Sequence, residues 1–162
     1  MPGFNDIPSF DKYISYPIAE KVVPFLRETM DLTPNAVTLI NFTIRLLIVY
    51  YYYNNNLNYV VLLTSILTHI IDSIDGTMAR KYDMGTPIGK KLDMYTDIIF
   101  WGAIFIITLT KYKLNTLTYL FVAGTLALPL INVLFEEDKY QNFLEMNAPI
   151  FAIVFFVLVK FT

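Results

Sequence analysis

Apolar runs of close to twenty residues, separated by short polar breaks, fill this chain from residue 33 onward. A helix needs about 20 such residues to cross a hydrocarbon core, and within lipid a helix satisfies its own backbone polar groups. The first run covers residues 33–53. Thr33 is placed to cap it, Pro34 suits the first helical position, and Asn54-Asn55-Asn56 ends it in a polar turn. The second covers 57–79, and a loop over 80–87 then carries Arg80, Lys81 and Asp83. The third covers 88–109, ahead of Lys111 and Lys113; the fourth covers 117–135, ending at Glu136-Glu137-Asp138; the fifth covers 148–161. The expected fold is all-α: a polytopic helical membrane protein with about five transmembrane helices, in one domain spanning residues 1–162.

Composition agrees, since 56% hydrophobic against 16% charged residues is too apolar for a soluble domain of 162 residues. A net charge of −2 offers no basic excess for nucleic acid, and the absence of cysteine excludes disulfides and thiolate metal sites. No cationic stretch followed by an apolar core opens the chain, so no cleavable signal peptide is expected. Before the 33–162 bundle, Ile7, Phe10, Ile14, Ile18, Val22 and Phe25 recur at steps of three or four. Asp11, Lys12, Glu20, Lys21 and Arg27 largely fall elsewhere, which predicts an amphipathic helix over 7–30 lying in the membrane interface and broken at Pro17 and Pro24. Lys12, Lys21, Arg27, Arg80, Lys81, Lys90, Lys91 and Lys139 fall on one side, expected to be cytoplasmic, while Lys111, Lys113 and Lys160 face away.

Against this apolar background stand four acids, Asp72 and Asp75 in the second run and Asp93 and Asp97 in the third. Ionisable groups in a membrane helix are costly and mark function. Asp72, Asp75, Gly76, Ala79 and Arg80 share one helical face, as do Gly89, Asp93 and Asp97. If the two helices are antiparallel neighbours, four carboxylates converge near the cytoplasmic end and need cations to relieve their repulsion. Carboxylate ligation favours a hard ion, Mg²⁺ or Mn²⁺, which commonly bridges to substrate phosphates. Arg80 can fork onto a phosphate oxygen, and Gly76, Ala79 and Gly89 leave room for a ligand or serve close helix packing. His69, one turn before Asp72, either orients a carboxylate or bonds a neighbouring helix. Arg45, about 18 Å along its helix from Thr33, is expected beyond the catalytic zone. Trp101 and Tyr50 to Tyr53 read as interfacial aromatics, and the phenylalanines of the fifth run as lipid-facing. Paired intramembrane acids also mark ion pathways, so a cation transporter stays open.

The spacing Asp72-x2-Asp75-Gly76-x2-Ala79-Arg80-x8-Gly89-x3-Asp93-x3-Asp97 resembles the CDP-alcohol phosphotransferase signature at every fixed position, and Thr33-Pro34-Asn35-x2-Thr38 is similar to the start of that family's first span. The resemblance covers residues 33–109. It implies transfer of a substituted phosphoryl group from a CDP-linked lipid to an alcohol acceptor, releasing CMP, in a multi-pass homodimer with its active site near the cytoplasmic face. By the same resemblance Asp72, Asp75 and Asp93 hold two Mg²⁺ or Mn²⁺ ions, and Asp97 completes the metal site and acts as general base. Gly76, Ala79, Arg80, Gly89, Asn35 and Thr38 contact the CDP moiety. Asn41 stands where glycerophosphate-using relatives tend to have arginine, and Asp97-Ile98-Ile99-Phe100-Trp101-Gly102 is similar to phosphatidylserine synthases. The expected donor is CDP-diacylglycerol and the acceptor a small alcohol, serine or inositol. A CDP-choline or CDP-ethanolamine donor, and an inactive relative with five spans where the family usually has six, are the alternatives.

Overall fold

A computed structural model describes residues 11–114, 116, 118–120, 123–124 and 152–160. Among them the architecture is helical: α1 (Tyr16–Pro24), α2 (Pro34–Asn54), α3 (Tyr59–Lys81) and α4 (Pro87–Lys111), with 152–160 also helical. The expected boundaries of the first three spans hold to within two residues. Thr33 caps α2 by accepting from the Ala36 amide at 3.3 Å, and Asn58 caps α3 by accepting from Val60 and Val61 at 3.0 and 3.3 Å. Thr86 does the same for α4 through Gly89 at 3.0 Å, with Pro87 next, repeating the Thr33-Pro34 start. That pair places the third span's beginning one residue earlier than expected. At the other end α3 runs on to Lys81 and closes through Asp83 at φ 52°, with Met84 N–H bonded to Ala79 O at 2.9 Å.

α2, α3 and α4 are each long and apolar enough to cross a membrane, and their outward positions, such as Leu47, Leu63 and Ile106, are exposed apolar residues suited to lipid. The fourth expected span lies outside the described residues except for 118–120 and 123–124, and Ile7, Phe10 and Lys139 lie outside them altogether. In the fifth, the structure corrects the expectation. Phe156 is buried, with its ring 5.2 Å from that of Tyr59, and Phe155 packs on the main apolar cluster, so these two rings fill protein rather than lipid.

α2 is the central helix. It packs against both α3 and α4, whose backbones approach each other less closely than either approaches α2. Its buried face, Pro34, Val37, Thr38, Asn41, Arg45, Ile48 and Tyr52, is polar in the middle and apolar at both ends. At the far end Ile48, Tyr52, Val61, Phe100, Ile104 and Ile107 form an apolar cluster. Tyr52, expected at the interface, is instead fully buried with its hydroxyl 2.9 Å from Thr108 Oγ1, while Tyr50 and Tyr53 are exposed. Lys111 donates to the Tyr52 and Asn55 carbonyls at 2.8 and 2.7 Å, capping the end of α2, which explains a lysine on the side opposite the basic bias.

α1 joins Ala19 and Val23 to Val37, Ile74 and Met78 in a second cluster at the near end. Lys81 reaches Glu20 at 3.0 Å, and Tyr82 donates to Glu28 at 2.7 Å, so α1 is clamped to the end of α3. Tyr13, Ile14, Ile18 and Phe25 are exposed on the opposite side, so the helix carries two apolar faces rather than one. The helical run passes both prolines without a gap, but its hydrogen-bond pattern changes beside each: a π-turn, Asp11–Ser15, runs into α1 ahead of Pro17, and past Pro24 the helix widens into a second, Phe25–Thr29.

Candidate active site

Between the two apolar clusters lies a polar layer, and its geometry follows from helix pitch. α2 and α4 both begin at the near end and α3 finishes there, so residues six to eleven positions from those termini meet about 9–17 Å along the helices. Asp72, Asp75, Asp93, Asp97 and Arg45 all fall in that interval. Sequence reasoning placed the acids near the cytoplasmic end and so left Arg45 too deep to reach them; in the structure Arg45 contacts Asp72 and Asp97 directly.

One carboxylate oxygen from each of Asp72, Asp75 and Asp93 lies within 4.8 Å of the others. Asp75 is buried and accepts from Thr38 Oγ1 at 2.5 Å. Asp72 accepts from Asn41 Nδ2 at 3.0 Å through Oδ1, and the second amide hydrogen of Asn41 goes to Thr68 O at 3.1 Å. Asn41 is fully buried, so the side chain that sequence reasoning tied to acceptor choice in fact holds a carboxylate. Arg45, 4% exposed, approaches Asp72 Oδ1 with Nη2 at 3.1 Å and Asp97 Oδ1 with Nη1 at 2.5 Å. The Phe100 ring lies 5.5 Å from its guanidinium. Thr38, Asn41 and Arg45 occupy positions i, i+3 and i+7, a polar stripe on one face of α2 that was readable in the sequence but not linked there to the acids.

Around this layer the remaining expected site residues take distinct places. Gly76 lies beneath the Arg80 side chain, since a Cβ there would sit 3.3 Å from Arg80 Nη1, and Arg80 itself is exposed. Ala79 is half-buried one turn beyond Gly76. Gly89 lets α4 approach α2, because a Cβ there would lie 2.7 Å from Asn35 Oδ1 and 3.1 Å from Thr86 Oγ1. His69 is half-buried on α3, its carbonyl accepting from Ser73 Oγ at 3.2 Å.

Two carboxylates 4.8 Å apart repel by about 3.5 kcal/mol at an effective dielectric of about 20. Arg45 offsets one of four negative charges and contacts only Asp72 and Asp97 among them. The three-acid cluster therefore fits a hard divalent cation: its donors are all oxygens, one from each acid and within 4.8 Å of one another.

The family model for CDP-alcohol phosphatidyltransferases matches residues 31–162. Searches of curated proteins and of solved structures gave no match.

Proposed function

The chain belongs to the CDP-alcohol phosphatidyltransferase family, a family of transferases of phosphate-linked groups, and from that premise we propose that it moves a phosphatidyl group from CDP-diacylglycerol to a small neutral or amino-bearing alcohol, with serine or inositol favoured, releasing CMP. The observation that carries the reading is the meeting of Asp72 and Asp75 from α3 with Asp93 from α4. A cation-transport reading requires the acids but not the Gly76, Ala79, Arg80 and Gly89 positions around them.

In this reading Asp72, Asp75, Asp93 and Asp97 hold two Mg²⁺ or Mn²⁺ ions, which when bound supply charge stabilisation to the diphosphate. Thr38 and Asn41 fix the orientation of Asp75 and Asp72. α2 and α4 turn their N-termini toward the same end of the bundle, where partial positive charge favours the diphosphate. Asn35, Thr38, Gly76, Ala79 and Gly89 line the cytidine diphosphate side, and Arg80, exposed at the mouth, reaches a phosphate oxygen. Asp97 takes the acceptor hydroxyl proton while the acceptor oxygen bonds to the lipid-side phosphorus and the bond from that phosphorus to the CMP oxygen breaks. Among the described residues only Arg45 is a buried cation, and it is engaged by two carboxylates, which favours an acceptor without a phosphate of its own. The enzyme works as a multi-pass membrane protein and a homodimer, its site toward the cytoplasmic face and α1 in the interface.

The test is CMP release by purified protein in detergent with CDP-diacylglycerol, Mg²⁺ or Mn²⁺ and single alcohols, beside Asp97→Asn. Release that depends on serine or inositol and is lost in the variant supports the reading. Release only with CDP-choline or CDP-ethanolamine plus diacylglycerol would reassign the donor, and use of glycerol 3-phosphate in preference to neutral alcohols would overturn the acceptor assignment.

A further inference from the structure

Arg45 is the one charged side chain that reaches the acids of both α3 and α4 from α2 among the described contacts. It is 4% exposed, and its guanidinium stands 5.5 Å from the Phe100 ring centroid. Asp72 Oδ1 takes two donors, Asn41 Nδ2 at 3.0 Å and Arg45 Nη2 at 3.1 Å. Two donors on Oδ1 would leave Oδ2 as the oxygen free to face a cation. The other terminal nitrogen of Arg45, Nη1, forms an ion pair with Asp97 Oδ1 on α4 at 2.5 Å.

We infer that Arg45 is a positioning residue of the metal centre: it sets which oxygen of Asp72 faces the cation and fixes Asp97 at the same depth. The inference rests on the reading of Asp72 as a metal ligand. A guanidinium is required because its planar fork spans two carboxylates on different helices, whereas an ammonium is a point charge that satisfies one of them. A purely electrostatic counter-cation makes the opposite prediction, because removing a positive charge beside the acids tightens cation binding.

The experiment is Mn²⁺ binding to the purified full-length protein in detergent, followed by electron paramagnetic resonance of free Mn²⁺, for wild type, Arg45→Lys, Arg45→Met and Asp72→Asn. Positioning predicts weaker binding on the order of 10-fold in Arg45→Lys, which keeps the charge, and at least as large a loss in Arg45→Met, in the range of about 10–100-fold for groups that orient metal ligands. Arg45→Lys carries the decision if Arg45→Met does not fold, as judged by helical circular dichroism and gel filtration. Unchanged affinity in Arg45→Lys, or tighter affinity in Arg45→Met, overturns the inference while wild-type binding and its loss in Asp72→Asn leave the metal-site reading intact. Absence of Mn²⁺ binding in the wild type overturns both. Where CMP release is present, Arg45→Lys lowers kcat about 10-fold with the KM for CDP-diacylglycerol unchanged, because Arg45 acts on the acids and not on the donor.

Discussion

The single hydroxyl of Thr38 illustrates how much of this site rests on neutral side chains. Its oxygen lies 2.5 Å from Asp75 and 3.1 Å from Pro34 O, and with one hydrogen to give, the shorter contact identifies Asp75 as the acceptor. Thr38→Val keeps the shape and removes the donor, leaving a buried carboxylate under-bonded. CMP release is expected to fall by about 10-fold or more with helical content unchanged; full activity in the variant would remove Thr38 from the site. Gly89 is constrained sterically instead. A methyl there meets Asn35 Oδ1 at 2.7 Å, so α4 must shift from α2 or Asn35 must turn away. Gly89→Ala is expected to cost about 1–3 kcal/mol of stability, seen as a lower melting temperature in detergent, and to weaken donor binding. An unshifted melting temperature and KM would mean the approach is slack. The family signature includes Gly89, but only the coordinates reveal that Asn35 is what fills the space.

α1 shows how a helix can satisfy two solvents. Ala19 and Val23 pack on α3 while Ile14, Ile18 and Phe25 remain exposed, so its apolar periodicity reported one face and hid the other behind small residues. Its outer ties are polar. Hydrogen bonds from Lys81 first, and from Tyr16, hold the Glu20 carboxyl below its ordinary value of 4.5. A group whose pKa is lowered by docking contributes stability that is fully present above that ordinary value and is lost as pH falls through the lowered one. Hydrogen exchange of the α1 amides is therefore expected to stay slow from pH 7 to about 5 and, once the intrinsic rate is corrected for, to accelerate below 4.5. Glu20→Gln should show weakened protection with no such step. A step that persists in Glu20→Gln would assign it to another group. The ends of α2 and α4 were more legible, because Thr-Pro at each start is a local signal: a hydroxyl cap and a ring that needs no amide partner.

For the whole molecule, a cation held by Asp72 and Asp75 of α3 and Asp93 of α4 would tie those two helices together. Removing divalent ions with a chelator is expected to lower the melting temperature, and Mg²⁺ at about 100 times its dissociation constant to restore about 2.7 kcal/mol. In Asp75→Asn the metal-dependent part should shrink; an equal chelator effect in that variant would locate the ion elsewhere. The all-helical membrane character, the span limits of α2 to α4 and the four acids with their flanking small residues were all determined by the sequence alone. Each depends on local chemistry: apolar length, capping residues and spacing along one helix face. Tertiary structure alone decided that α2 is central, that Tyr52, Phe155 and Phe156 turn inward, and that Arg45 reaches Asp72 and Asp97. Helical periodicity gives a residue's angle around its own axis, whereas a contact between helices depends on their relative depth and tilt, which are set by the sum of packing along the whole interface.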